Sequence, residues 1–387
     1  MLLIPGLDCL AEIEEHARAL EDSAHERDRT NIFAREAFED LGSQGVYALA
    51  TGDDAESLGR LCALIYGLAL RSGDLGFAAS LCAHLCAIFT LRDFGHEHHR
   101  DLLDAMISGK ALGAVANSEP DAGTDLMGLQ TSLAQRDGSL VLNGTKWSIT
   151  NVSEAEVLIV SAISHTPPTN ARKQVDHVVL ESRQTGIETA RLDDLIGLRT
   201  SVTGNLTMSQ VCLEQTSRLG SAGDGVAMFR HQFDHERLLT ATLYLAALDT
   251  ALERGVQRGL ERKQFGRPII ENQYIQQVLV DVRVARELLA AQLHLLIEQW
   301  HEPPATFRGS LSVLKLHGLE AATRACREVL GILGGRGLRQ DEGLTRMLRD
   351  LLGLAMLGGT RELHKMLLHR NTLRAYAPST SQRGEDD

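Results

Sequence analysis

No stretch of about 18 uncharged apolar residues, the minimum that crosses a bilayer as a helix, occurs in the sequence, so no membrane-spanning segment is expected. The longest candidate, LCALIYGLALRSGDLGFAASLCAHLCAIFTL, is interrupted by Arg71, Ser72, Gly73 and Asp74. It reads as two buried helices around a turn. The N-terminus has no basic stretch followed by an apolar one, so no signal or transit peptide is expected and the cytoplasm is the expected compartment. Lysines and arginines form no dense run among aromatics, aromatics make up only 4%, and the net charge is −12. These features exclude nucleic acid as an expected partner. Six cysteines in 387 residues are too few for a disulfide framework and fit a reducing compartment. Cys82 and Cys86 flank His84 among apolar neighbours, which reads as core packing and not as a metal site. His96, His98 and His99 in GHEHHRD read as the polar start of a helix.

Hydrophobic residues are 43% and charged residues 23%, the balance of a globular protein with a sizeable core. Three blocks follow one another. Residues 1–110 recur with helical period and break at GSQG and RSGD. Residues 111–220 shift to short alternating runs such as SLVLNGTKWSI. That run follows the hairpin signal RDG and contains a second turn signal at Asn143-Gly144, while HTPPTNARKQ is a polar loop. Residues 221–375 return to longer helices: one over about 225–260 with Asp224 placed to cap it, then one with Pro268 in its first turn. Two more are expected at about 305–331 and 341–357, the last ended by Gly358-Gly359, and Thr360 can cap a final short helix. Residues 376–387 form a polar tail expected to be disordered. The layout predicts an α+β fold of helical domain, β domain and helical domain.

ANSEPDAGTDLMGLQT (116–131) crowds Pro120, Gly123 and small hydroxyl residues into a polar turn, which suits a phosphate or a polar ring edge. LNGTKWSITN (142–151), ERKQFGRPIIENQ (261–273), ILGGRGLRQDEGLTRMLRD (332–350) and LGGTRELH (357–364) follow it. In this order and spacing the five motifs resemble the acyl-CoA dehydrogenase family over about residues 7 to 370. The resemblance implies an N-terminal helical domain, a β-barrel-like middle domain and a C-terminal four-helix bundle. It also implies FAD as cofactor and an acyl thioester, on coenzyme A or a carrier protein, as substrate. Carried onto this sequence, the flavin site falls on Ser118 and Thr124, at the ring and the pyrophosphate, and on Thr150 beside the ring, with Thr360 adding a contact. Arg262 and Gln273 are implied to reach the FAD of a neighbouring subunit, and Gly334, Gly335 and Gly337 to let backbone approach the adenosine half. A homodimer or homotetramer follows from such sharing, and an electron-transfer flavoprotein is the family's usual electron acceptor.

Two departures bear on the chemistry. Many members place the catalytic glutamate directly before the GT of the last motif, where this chain has Gly358. A branch that includes the long-chain and isovaleryl enzymes takes its base from ERL, and DHERLL here matches that stretch at Glu236. The helical wheel agrees independently. At about 100° per residue, Phe229, Phe233, Glu236, Thr240, Leu243 and Ala247 share one line, and a carboxylate on an apolar line is costly unless it has a use. Arg237 is expected to order the nearby loop or to approach the phosphates of a thioester carrier. Second, Ser148 stands where the family has an aromatic beside the flavin, with Trp147 one residue earlier, on the other face of a regular strand.

The expected reaction is α,β-dehydrogenation of an acyl thioester by an oxidoreductase acting on CH–CH groups, with Glu236 taking the alpha proton and flavin the beta hydride. The alternatives are a flavin-dependent monooxygenase or oxidase on the same fold, or a flavin-free scaffold.

Overall fold

The computed structural model describes residues 13–123, 125–165, 174–339 and 343–376. Thr124, residues 166–173, where the sequence predicts a polar loop, and the segment beyond 376 lie outside them. Five helices open the described chain: α1 (Glu14–Thr30), α2 (Arg35–Ser43), α3 (Ala55–Ser72), α4 (Leu75–Phe94) and α5 (Arg100–Ile107). The turn between α3 and α4 follows its residues. Gly73 takes the left-handed conformation that ends α3, at φ 62°, and the Asp74 carboxylate accepts from the Phe77 N–H to start α4. Helix α4 is long and apolar enough to cross a membrane, yet 89% of that stretch is buried inside the protein. It is the central helix, apolar all round because α3, α6 and the sheet surround it.

Residues 113–213 form one seven-stranded sheet of β1 (Gly113–Ala116), β2 (Ser132–Arg136), β3 (Ser139–Ile149), β4 (Val157–His165), β5 (Gln174–Glu181), β6 (Ile187–Arg191) and β7 (Gly204–Leu213). Strands β1 and β2 both run parallel to β4, end to end along one edge, and β5 pairs antiparallel with its other edge. The sheet continues β2–β3–β7–β6. Among the described residues β5 and β6 do not pair, so the sheet is open and not a closed barrel. Asp137 and Gly138, at φ 49° and 87°, make the β2–β3 hairpin turn expected from RDG. Asn143-Gly144 makes no turn. It lies inside β3 at a register shift against β7, where a Cβ on Gly144 would meet Thr131 atoms at 2.5 to 2.8 Å. Glycine serves a bulge there, allowing close approach of backbone.

The chain then runs through α6 (Gly225–Glu261), the two-residue strands β8 (Lys263–Gln264) and β9 (Arg267–Pro268), α7 (Gln273–Glu298), α8 (Phe307–Leu333), α9 (Leu344–Leu354) and α10 (Arg361–Tyr376). Two expected starts are corrected. Asp224 precedes α6 but its carboxylate turns back to accept from the Ser221 N–H, so it makes no side-chain cap. Pro268 belongs to the small hairpin, and Asn272 caps α7 through the Tyr274 N–H. Helix α6, 37 residues long, packs on α3 and α4 and on α7 and α8, which fuses the two helical regions into one core.

Among the described residues no group of three or more His, Cys, Asp and Glu is placed to hold a metal. His84 is a satisfied core residue: its Nδ1 accepts from the Gly113 N–H at 3.0 Å and its Nε2 donates to the Met106 carbonyl at 3.2 Å. Burial holds it neutral, at about 3. His96, His98 and His99 lead into α5 as expected.

Candidate active site

A cavity of about 180 Å³ lies where the sheet meets α4 and α6, and Ser118, Ser148, Thr150, Gln232, Glu236 and Gly358 line it. Four separate pieces of chain deliver these residues: the turn after β1, the end of β3, the first third of α6 and the turn after α9. The β1 turn is pinned by a hydrogen bond from the Trp147 N–H to the Ser118 carbonyl at 2.8 Å. Beneath it, Lys146 is wholly buried and donates to the Glu119 carboxylate at 2.9 Å, the Asn117 carbonyl at 3.1 Å and the Ser161 hydroxyl at 3.1 Å. Burial pushes the Glu119 carboxyl up, but donors at Thr131, Gln130 and Lys146 outweigh it and hold it below the ordinary carboxylate range. Burial brings Lys146 down to about 8.

Thr150 is held by its neighbour Asn151, in the left-handed region at φ 71°, whose amide donates to the carbonyls of Ser80 and Gly113. The strand is irregular just before: the register with β7 shifts between Lys146 and Ile149, and Ser148 has φ 56°. The shift leaves Trp147 and Ser148 exposed in succession, but only Ser148 faces the cavity. The hydroxyls of Ser118 and Thr150 are half-buried, and no described residue engages either of them.

Glu236 keeps part of its surface accessible because the cavity opens onto it; protein surrounds it otherwise. Burial raises its carboxyl above the ordinary range. The charge of Lys315, a hydrogen bond from the Gly358 backbone and the charge of Arg237 oppose that rise without cancelling it. Arg237 is turned away from the cavity: its Nε donates to the Gly358 carbonyl at 3.0 Å and its Nη1 pairs with Asp234 at 3.2 Å. Of its two expected roles, the geometry favours ordering the loop. Gly358 has φ 67°, and a Cβ there would sit 3.3 Å from the Arg237 Cγ. Gly358→Ala is therefore expected to cost about 1–2 kcal/mol of stability, read by denaturant unfolding.

Lys315 and Tyr244 carry no sequence motif, yet they back the carboxylate. Lys315 is buried on α8 and donates to the Tyr244 hydroxyl and the Leu354 carbonyl, both at 2.6 Å. Tyr244 lies two turns beyond Glu236 on α6, with Thr240 between them donating to the Glu236 carbonyl at 2.7 Å. Burial brings the Lys315 ammonium down to about 7. Its charge pulls Glu236 down against burial, so Lys315→Met is expected to move the acid limb of an activity profile to higher pH, measured as kcat/KM against pH. Lys315 stands in register with Leu311, Gly318 and Ala322 on the buried stripe of α8; a lysine there was the available signal.

The remaining expected residues lie elsewhere. Thr360 lines a separate groove between α8, α9 and α10 and accepts from the Leu363 N–H at the start of α10, the cap expected of it. Arg262 lies against the turn at Gly334, where a Cβ would meet its Nη1 at 2.9 Å; Gly335 opens to solvent and Gly337 is packed. Gln273 is exposed at the first turn of α7. Along α6, Glu236 and Arg262 are roughly 39 Å apart.

The family model for the acyl-CoA dehydrogenase middle domain matches residues 114–211, and that for the C-terminal domain matches 223–373. A probable acyl-CoA dehydrogenase, YngJ of Bacillus subtilis, is 30% identical over 90% of this chain and 92% of its own length. The chain belongs to the acyl-CoA dehydrogenase family. An L-prolyl-[peptidyl-carrier protein] dehydrogenase of Serratia is 28% identical over 79% of each chain. The solved structure of PigA with FAD and proline superposes with a TM-score of 0.84 at 25% identity, covering 94% of this chain and 97% of that one. The acyl-CoA dehydrogenase fold thus accounts for the helical, sheet and helical parts described above.

Proposed function

We propose that this chain is an FAD-dependent oxidoreductase that introduces an α,β double bond into an acyl thioester, with Glu236 as the base. The observation that carries this reading is the placement of Glu236, Ser118 and Thr150 around one cavity. The donor set suits a flavin: two unengaged hydroxyls, and at the other end of the bundle an open glycine turn beside a guanidinium. Ser118 and Thr150 would hold the ring, and Thr124 and Thr360 are proposed for further contacts. When bound, FAD supplies the acceptor for the beta hydride. The protein's part is to bind the thioester against the carboxylate, exclude water and remove the alpha proton at a Glu236 oxygen. A carboxyl raised by burial is better matched to that proton than an ordinary one.

We also propose that the site is completed by a second copy. Arg262, Gln273 and the turn at Gly334, Gly335 and Gly337 stand too far from Glu236 to meet the same flavin ring within one chain. Phe265, fully exposed at the hairpin tip, and Val280, Val284, Leu288 and Leu295 along one face of α7 provide apolar surface for a dimer or tetramer. CoA-bound or carrier-bound substrate both fit the reading, and an electron-transfer flavoprotein is the proposed electron acceptor. The described cysteines are all unpaired, which suits the proposed cytoplasmic setting.

The test is an anaerobic visible spectrum of the purified protein titrated with saturated acyl-CoA and acyl-carrier-protein thioesters. Bleaching of the oxidised-flavin band supports dehydrogenation. A flavin that stays oxidised with both kinds of substrate points to oxygen chemistry on the same fold, and a colourless protein sinks both.

A further inference from the structure

Gln232 precedes Glu236 by one turn of α6, lines the same cavity and is only 3% exposed. Its amide is fixed from behind. The Asn117 Nδ2 donates to the Gln232 Oε1 at 2.9 Å, and the Asn117 Oδ1 lies 3.2 Å from the Nε2 of His177 on β5. His177 is wholly buried and burial keeps it neutral, so its ring carries one N–H. With that hydrogen on Nε2, His177 donates to Asn117, Asn117 donates to Gln232, and the Gln232 NH₂ is left without a partner in the protein. The reversed arrangement would put the hydrogen on Nδ1, a donor with no partner in the protein on a residue that does not line this cavity, whereas the Gln232 amide belongs to a residue that lines it and can be satisfied by a bound ligand. The chain of bonds therefore runs one way. It ends at a Gln232 Nε2 with no hydrogen-bond partner, beside the base.

An amide donor left unpaired in a buried site costs about 1–3 kcal/mol, a cost removed when a ligand oxygen accepts from it. Residues one turn apart on a helix have Cβ atoms about 5–6 Å apart, so a substrate with its alpha carbon at Glu236 carries its next groups past Gln232. We infer that Gln232 is a substrate-positioning residue that donates its Nε2–H to a carbonyl or other neutral oxygen of the thioester substrate, outside the thioester group itself. Two parts of the substrate offer such an oxygen: the first amide of the pantetheine arm and a polar substituent on the acyl group. In either case the donor sets where along the cavity the alpha carbon stops, and so whether it meets the carboxylate. The inference rests on the thioester reading of the cavity.

The experiment compares wild type with Gln232→Met, which keeps length and removes the donor, and with Gln232→Leu in case the first fails to fold; flavin content and thermal unfolding check the fold. Three substrates are used: an alkanoyl-CoA, the same alkanoyl group as a simple S-alkyl thioester without the pantetheine amide, and an acyl-CoA oxygenated on its acyl chain. A loss of about 5- to 10-fold in kcat/KM with both CoA esters, absent with the S-alkyl thioester, assigns the donor to the pantetheine amide. A loss confined to the oxygenated acyl group assigns it to the acyl chain. Equal loss with all three, or none with any, overturns the inference. The same substrates are also titrated for binding through the change in the flavin spectrum. Binding that depends on Gln232 without turnover overturns the dehydrogenation reading alone, and no binding of any thioester overturns both.

Discussion

Glu236→Gln is expected to lower kcat/KM for an acyl thioester by about 10²- to 10⁴-fold while the flavin remains bound, the range lost when a positioned general base is removed. Glutamine keeps the shape and a hydrogen-bonding oxygen toward the Gly358 backbone but cannot take a proton. The loss should fall on turnover more than on binding of a substrate analogue. The wild-type pH profile carries the same information. The base works ionised, so the rate is low where Glu236 is protonated and rises with pH through its pKa. Burial raises that pKa above the usual 4.5, so the rise should come at a higher pH than for an ordinary glutamate, and it should disappear in the Gln variant. A profile unchanged by the substitution would remove Glu236 from the chemistry. The loop at Gly358 would then be the place to look, although glycine there has no side chain to titrate.

Lys146→Met is expected to destabilise the protein by about 3 kcal/mol and to weaken flavin retention together with it. The ammonium is wholly buried and satisfies three oxygens, on Glu119, Asn117 and Ser161. Methionine fills the volume but leaves the Glu119 carboxylate with only the N–H groups of Gln130 and Thr131, at 2.6 and 3.0 Å. Removing one member of a buried pair costs far more than the pair contributes net, because the remaining charge is stranded. The flavin consequence follows from position. Ser118 lies between Asn117 and Glu119, so slackening that turn moves a hydroxyl of the cavity wall. Denaturant unfolding and the flavin content of the purified variant measure the two effects. The double variant Lys146→Met/Glu119→Gln should recover part of the stability, since it removes the stranded charge.

Local sequence determined a large part of this molecule. The change of hydrophobic period near residue 111 and back near 220 marks where helix gives way to sheet and returns, because burial of one face leaves its period in the chain. The RSGD turn and the Asp137-Gly138 hairpin were legible for the same kind of reason: a left-handed residue or a capping carboxylate is a property of the residue itself. Glu236 stood out as a carboxylate on an apolar line. Asn143-Gly144 shows the limit of local signals, since the same dipeptide that turns a hairpin also suits a bulge, and only Thr131 pressing on Gly144 decides between them.

What surrounds Glu236 was decided by the tertiary structure. Helix α6 is buried nearly all round, so its wheel leaves the functional face undefined until α4 and the sheet are in place. Lys315 meets Tyr244 across 71 residues and Gln232 meets Asn117 across 115, and neither pair leaves a periodic trace. Periodicity reports whether a position is buried, because burial acts on each residue separately. Which polar groups share that burial, and so how far a carboxyl is shifted or which way an amide points, depends on pairs the chain brings together only when it packs.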